Sequence, residues 1–185
     1  MPRRAGAGRP LSEPSPCRAE GVKTPTLTTP PLQPDVPPLV HLYTDGGCSG
    51  NPGPGGWAFL LVHPSTGKKL EGSGGEPHTT NNRMELRGVV EGLSTLNRPT
   101  DVELFTDSVY VGKGLSEWMK GWKKNGWKRK EKGRLVDVKN VDLWQQLDEL
   151  AAKHTIKYTR VAGHSGHPEN DRVDELAVAA YQQYL

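Results

Sequence analysis

The sequence predicts an α/β fold: a mixed sheet with helices packed on it. Three observations carry this. Leu39-Val40-His41-Leu42-Tyr43 is an apolar, β-rich run that stops at Thr44-Asp45, and Val102-Glu103-Leu104-Phe105 repeats the arrangement before Thr106-Asp107. Each reads as a buried strand that delivers a carboxylate to its carboxyl end. Between them, Leu86, Val89, Val90, Leu93 and Leu96 recur at helical spacing. A strand, a helix and a strand make a crossover unit, right-handed with parallel strands in nearly all cases. The two strand ends then lie side by side, where sites form in such sheets. Asp45 and Asp107 meet there, and two carboxylates that close need a metal ion or a shared proton.

The chain has 185 residues with a net charge of +3, enough for one domain and a tail. Residues 1–37 are rich in Pro, Thr, Ala, Gly and Arg, and prolines from Pro2 to Pro37 deny them helix and sheet alike. They are expected to be disordered, because they bury too little apolar surface to offset the entropy of ordering. Three arginines and no acid in the first nine residues suggest a transit peptide, but Glu13, Glu20 and Asp35 argue against it. Residues 38–185 form the expected folded domain. Two cysteines, Cys17 and Cys48, make neither a disulfide framework nor a zinc site. That fits a reducing compartment, the cytoplasm. No apolar run approaches the ~18 residues of a membrane span.

The elements follow in order. After Asp45, Gly46 to Gly56 reads as a tight loop of turn formers. Trp57–His63 and Lys68–Gly74 are further strands around the turn Pro64–Gly67, completing an antiparallel meander. Thr80 or Asn81 caps the crossover helix. Glu85 lies in its first turn, on the border of the apolar stripe; taken alone it also reads as a solvated glutamate favoured by the helix dipole. Ser108–Trp118 is a short helix. Lys120–Arg134 carries Lys120, Lys123, Lys124, Lys128, Arg129, Lys130, Lys132 and Arg134 against one acid, Glu131, with Trp122 and Trp127 interleaved. Leu143, Trp144, Leu147 and Leu150 mark the next helix, beginning at Asn140 or Val141, and Thr155–Arg160 is the last strand. Val161–Pro168 is a loop bearing His164 and His167. Pro168 suits the first turn of the final helix. Its apolar positions include Val173, Leu176 and Ala177, and Asp174 sits on their border.

Asp45, Glu85, Asp107 and Asp174 therefore form a candidate constellation of oxygen ligands with no fixed cation among them. Such a set selects hard divalent ions, Mg²⁺ first and Mn²⁺ as a substitute. Two such ions about 4 Å apart can activate a water and stabilise the leaving oxygen of a phosphodiester.

Six blocks are similar, in order and spacing, to the bacterial kind of type 1 ribonuclease H: Tyr-Thr-Asp-Gly (43–46), Gly-Asn-Pro-Gly-Pro-Gly-Gly (50–56), Thr-Asn-Asn-Arg-Met-Glu-Leu (80–86), Thr-Asp-Ser (106–108), Lys-Asn-Val-Asp-Leu-Trp (139–144) and Gly-His-Ser-Gly-His-Pro-Glu-Asn (163–170). The resemblance spans residues 39 to about 184. It implies a ribonuclease H-like fold, a five-stranded mixed sheet of order 3-2-1-4-5 with a basic handle between two helices. It also implies a monomeric endonuclease that cuts the RNA strand of RNA/DNA hybrids to 5′-phosphate and 3′-hydroxyl ends. Position by position, it makes Asp45, Glu85, Asp107 and Asp174 the catalytic metal ligands, with two ions when substrate is bound, and gives His164 a mobile proton-transfer and product-release role. Asp171 is expected to be an exposed helix-start charge.

The side-chain amides of Asn81 and Asn82 can donate and accept in the minor groove of the hybrid, where 2′-hydroxyls are exposed, and the resemblance places Asn51 and the backbone near Cys48 beside the RNA strand. Thr80 and Asn140 fall in a DNA-phosphate pocket, with His78 where relatives often carry Arg. Val109 stands where many relatives have Gln, so one groove hydrogen bond is lost. Trp122, Lys123 and Lys124 belong to the handle, a helix and loop whose lysines attract phosphates without regard to sequence; Trp118 and Trp144 are expected to pack it rather than stack on bases. Two other readings remain: a non-catalytic hybrid-binding module, and a DNA-directed nuclease of the same fold.

Overall fold

The computed structural model describes residues 38–163 and 166–185. The expectations for residues 1–37 and for His164 lie outside these. The meander is β1 (Leu39–Cys48), β2 (Gly53–Val62) and β3 (Lys69–Thr79). Then come α1 (Asn81–Ser94) and β4 (Asp101–Thr106). α2 (Val109–Lys113) runs through a π-helical turn at Gly114–Trp118 into α3 (Met119–Lys124). A hairpin of β5 (Lys128–Glu131) and β6 (Arg134–Asp137) leads to α4 (Val141–Lys153), β7 (Thr155–Arg160) and α5 (Pro168–Gln182). The main sheet has the order β3-β2-β1-β4-β7. This is the expected five-stranded arrangement; the strand expected as fifth is seventh only because the hairpin intervenes. β1 pairs antiparallel with β2 and parallel with β4, and β4 pairs parallel with β7.

Two expectations needed correction. Gly46–Gly56 is not one loop: β1 continues to Cys48 and β2 starts at Gly53, leaving Ser49–Pro52 as the turn. The handle is not a helix and loop but a helix and a two-stranded hairpin.

Alternation along the strands splits the core into two layers. Phe59 and Leu61 of β2 join Leu42, Leu104, Val89, Leu93, Leu143 and Trp144 on the face covered by α1 and α4. Ala58 and Leu60 face the other way, onto Val173 and Ala177 of α5. Glycines let both helices touch strand backbone. A Cβ on Gly46 would lie 2.3 Å from the Glu85 backbone nitrogen, and one on Gly56 would lie 2.2 Å from the Ala177 carbonyl oxygen. These glycines serve close approach rather than turning, which is why the loop reading of 46–56 fails.

Trp144 is fully buried. Tyr110 and Trp122 meet its ring at centroid distances of 5.4 and 5.3 Å, and Trp118 lies 5.6 Å from Trp122. The tryptophans thus root the basic helix in the core, as expected for Trp118 and Trp144.

Candidate active site

The parallel ladder of β1 and β4 joins Leu39–Tyr43 to Asp101–Phe105. Asp45 and Asp107 stand just past its end. Asp45 shares the face of Tyr43, toward α5, and Asp174 comes from the early turns of that helix. Glu85 arrives from the opposite face, in the first turns of α1, whose start is fixed by Thr80: its Oγ1 accepts the Arg83 N–H at 3.3 Å. All four carboxylates line one cleft of about 250 Å³, together with Gly46, Asn81, Asn170 and Asp171.

The electrostatics follow from crowding. Burial, with the charges of Asp107 and Asp174 adding to it, pushes the Asp45 carboxyl up to about 7, although the Gly46 N–H donates to it at 2.7 Å. Burial likewise raises Glu85, with Asp107 adding to it, while the Ser108 hydroxyl, donating to Oε2 at 2.5 Å, opposes the shift. Among the described residues, no three His, Cys, Asp or Glu side chains converge on a single point.

Gly163, the residue before His164, passes close to this cleft: a Cβ there would lie 3.0 Å from Asp107 Oδ2. Asp171 is exposed, as expected, yet it lines the cleft beside the buried Asn170. The reading of the sequence missed Asn170; the only signal was its position four residues, one helical turn, before Asp174.

The expected substrate contacts fall into neighbouring groups. Asn81 Oδ1 accepts the Cys48 N–H at 2.8 Å and its thiol at 3.1 Å, and Asn51 Oδ1 accepts the Asn81 N–H at 3.3 Å. Thr80 and Asn140 line a second cleft of about 530 Å³ with Asn51, Asn82, Tyr110 and Lys139. His78, exposed near the end of β3, does not line it. Trp122 lines a third cleft of about 420 Å³ with Tyr110, Trp118, Arg129, Glu131, Val138 and Lys139. Lys123 and Lys124 are exposed on α3; Lys123 is paired with Asp148 at 3.0 Å. Val109 is 44% exposed at the start of α2.

Clustered carboxylates at the ends of two parallel strands, beside amide-lined clefts and a basic hairpin, define a ribonuclease H-like nuclease site. The RNase H family model matches residues 37–182. A ribonuclease H from Rhodopirellula baltica is 61% identical over 146 residues, 79% of this chain and 92% of that protein. One from Pseudomonas syringae pv. syringae is 57% identical over 138 residues, 75% of this chain and 89% of the relative. Among solved structures, LC9-RNase H1, described as a type 1 RNase H with the type 2 active-site motif, superposes with a TM-score of 0.70 at 34% identity, covering 82% of this chain and 76% of its own. The chain belongs to the RNase H family.

Proposed function

We propose that this ribonuclease H is a divalent-metal-dependent endonuclease that hydrolyses the RNA strand of RNA/DNA hybrids, leaving 5′-phosphate and 3′-hydroxyl ends. The observation that carries the reading is the convergence of Asp45, Glu85, Asp107 and Asp174 on one cleft. All are oxygen donors of the kind Mg²⁺ and Mn²⁺ prefer. Among the described residues, no lysine or arginine lines that cleft, so the donor set fits a dication. Bound ions supply water activation and neutralisation of the leaving oxygen.

The chain's own groups do the rest. The four acids would hold the ions. His164 carries protons near neutral pH. Asn81 and Asn82 face the hybrid's minor groove, Asn51 and the backbone near Cys48 lie beside the RNA strand, and Thr80 and Asn140 take a phosphate of the DNA strand. The helix and hairpin bearing Trp122, Lys123 and Lys124 track the duplex; His78 stands at the margin of the phosphate contact. A structure of LC11-RNase H1 in complex with an RNA/DNA hybrid shares this fold, with a TM-score of 0.59 at 21% identity. The enzyme acts as a monomer in the cytoplasm, and no described helix is long and apolar enough to cross a membrane.

The test is a labelled hybrid incubated with Mg²⁺ or EDTA, beside single-stranded RNA and duplex DNA. Cleavage of the hybrid's RNA strand in Mg²⁺ alone is expected. Intact RNA at stoichiometric enzyme overturns the proposal, and preferential cutting of duplex DNA moves the enzyme to another substrate.

A further inference from the structure

Asn140 breaks the usual behaviour of its position. It is the N-cap of α4, in the left-handed region at φ 56° and ψ 33°, yet its side chain makes no capping hydrogen bond to its own helix. An asparagine there normally stabilises the helix through that bond. Here the amide is held by two other elements instead. Arg83 Nη1 of α1 donates to Asn140 Oδ1 at 3.4 Å, and Asn140 Nδ2 donates to the Tyr110 hydroxyl of α2 at 3.2 Å. Tyr110 is fixed in turn by the buried Trp144, whose Nε1–H donates to the same hydroxyl at 2.9 Å. Arg83 is fixed by Asp142, one step into α4: Nη1 and Nη2 donate to the two carboxylate oxygens at 3.0 and 2.8 Å.

The geometry is that of a clamp. A planar guanidinium gripped by both carboxylate oxygens has little rotational freedom left. The same Nη1 that grips Asp142 Oδ1 also reaches Asn140 Oδ1, so the ion pair sets which way the amide points. With Oδ1 and one N–H of Nδ2 engaged, a single N–H remains free. Asn140 lines the cleft that also contains Thr80, Tyr110 and Lys139.

We propose that Arg83 and Asp142 are positioning residues for substrate binding, an ion pair whose task is to orient Asn140 so that its one free N–H faces a phosphate of the hybrid. This rests on the proposed hybrid-cleaving function. Asp142 does not line that cleft and acts through Arg83 and Asn140. Preorganisation of this kind raises affinity by removing rotamers that binding would otherwise have to freeze.

A double-mutant cycle tests it, with Mg²⁺-dependent hydrolysis of a labelled hybrid as readout. Asp142→Ala is expected to raise KM about fivefold with kcat within about twofold. In an Asn140→Ala background, the same substitution is expected to change KM no further, because its target is gone. Asp142→Asn, which keeps an acceptor oxygen, is expected to fall between wild type and Asp142→Ala and covers the case in which the alanine variant misfolds. An unchanged KM, or effects of Asp142→Ala and Asn140→Ala that multiply, overturns the proposal. So does a lower KM with a steeper salt dependence, which would mean that the freed Arg83 takes the phosphate itself. Wild-type enzyme that leaves the hybrid intact overturns the parent reading instead.

Discussion

Asp45→Asn removes a charge that the apo protein tolerates poorly. Burial and the neighbouring acids raise the folded-state Asp45 carboxyl from 3.8 to about 7. Between these values the unfolded chain ionises this group while the folded chain keeps its proton. The folded state therefore binds more protons, and stability falls as pH rises from about 4 to 7. At 1.36 kcal/mol per pKa unit, the full cost at pH 8 is about 4 kcal/mol, a ceiling that side-chain relaxation lowers. Asparagine keeps the shape without the charge. Its variant should therefore melt up to about 10 °C higher than wild type at pH 8 in EDTA. At pH 4 the two should melt together. Mg²⁺ should raise the wild-type melting temperature at pH 8 more than the variant's, since only the former keeps the full donor set. Turnover of the hybrid should disappear in the variant. Thermal scans by circular dichroism at several pH values decide the matter. A variant less stable than wild type at pH 8, or a gain of equal size at pH 4 and pH 8, would refute the electrostatic account.

Further expectations concern the scaffold and the handle. Gly46→Ala forces a methyl against the α1 backbone and should destabilise the fold by about 1–3 kcal/mol in denaturant titration. It should also impair turnover, because Glu85 moves with that backbone. Trp144→Ala empties the fully buried socket beneath the handle and should cost about 3–5 kcal/mol by the same measurement. Lys124→Ala should lower the slope of log affinity against log salt by about one. Lys123→Ala should lower it less, because Asp148 already compensates that lysine, as fluorescence titrations of a hybrid in several salt concentrations will show.

Local signals in the sequence marked much of this architecture. The Thr-Asp endings placed two carboxylates, and the spacing of Leu86, Val89, Val90 and Leu93 gave α1 and its register, so Glu85 could be set on the sheet side. The sequence narrows the cap of that helix to Thr80 or Asn81, and Thr80 fills it. The Gly46–Gly56 stretch misled because glycine serves two purposes: turn geometry and the absence of a Cβ. Only the folded packing shows that Gly46 and Gly56 serve the second. The hairpin at Lys128–Asp137 was invisible for a different reason: its strands are mostly charged and lack a buried face, so no period of two survives. The Arg83–Asp142 pair spans 59 positions, beyond any local pattern.

Asp174 is supplied by α5, which seats on the sheet through the bare backbone of Gly56. Of the four acids it is the last that a ribosome makes. A nascent chain, or one clipped before this helix, therefore holds three of the four acids and lacks the segment that completes the cleft. On the proposed function, a copy that lacks this helix is expected to bind the ions less well and to leave a hybrid uncut.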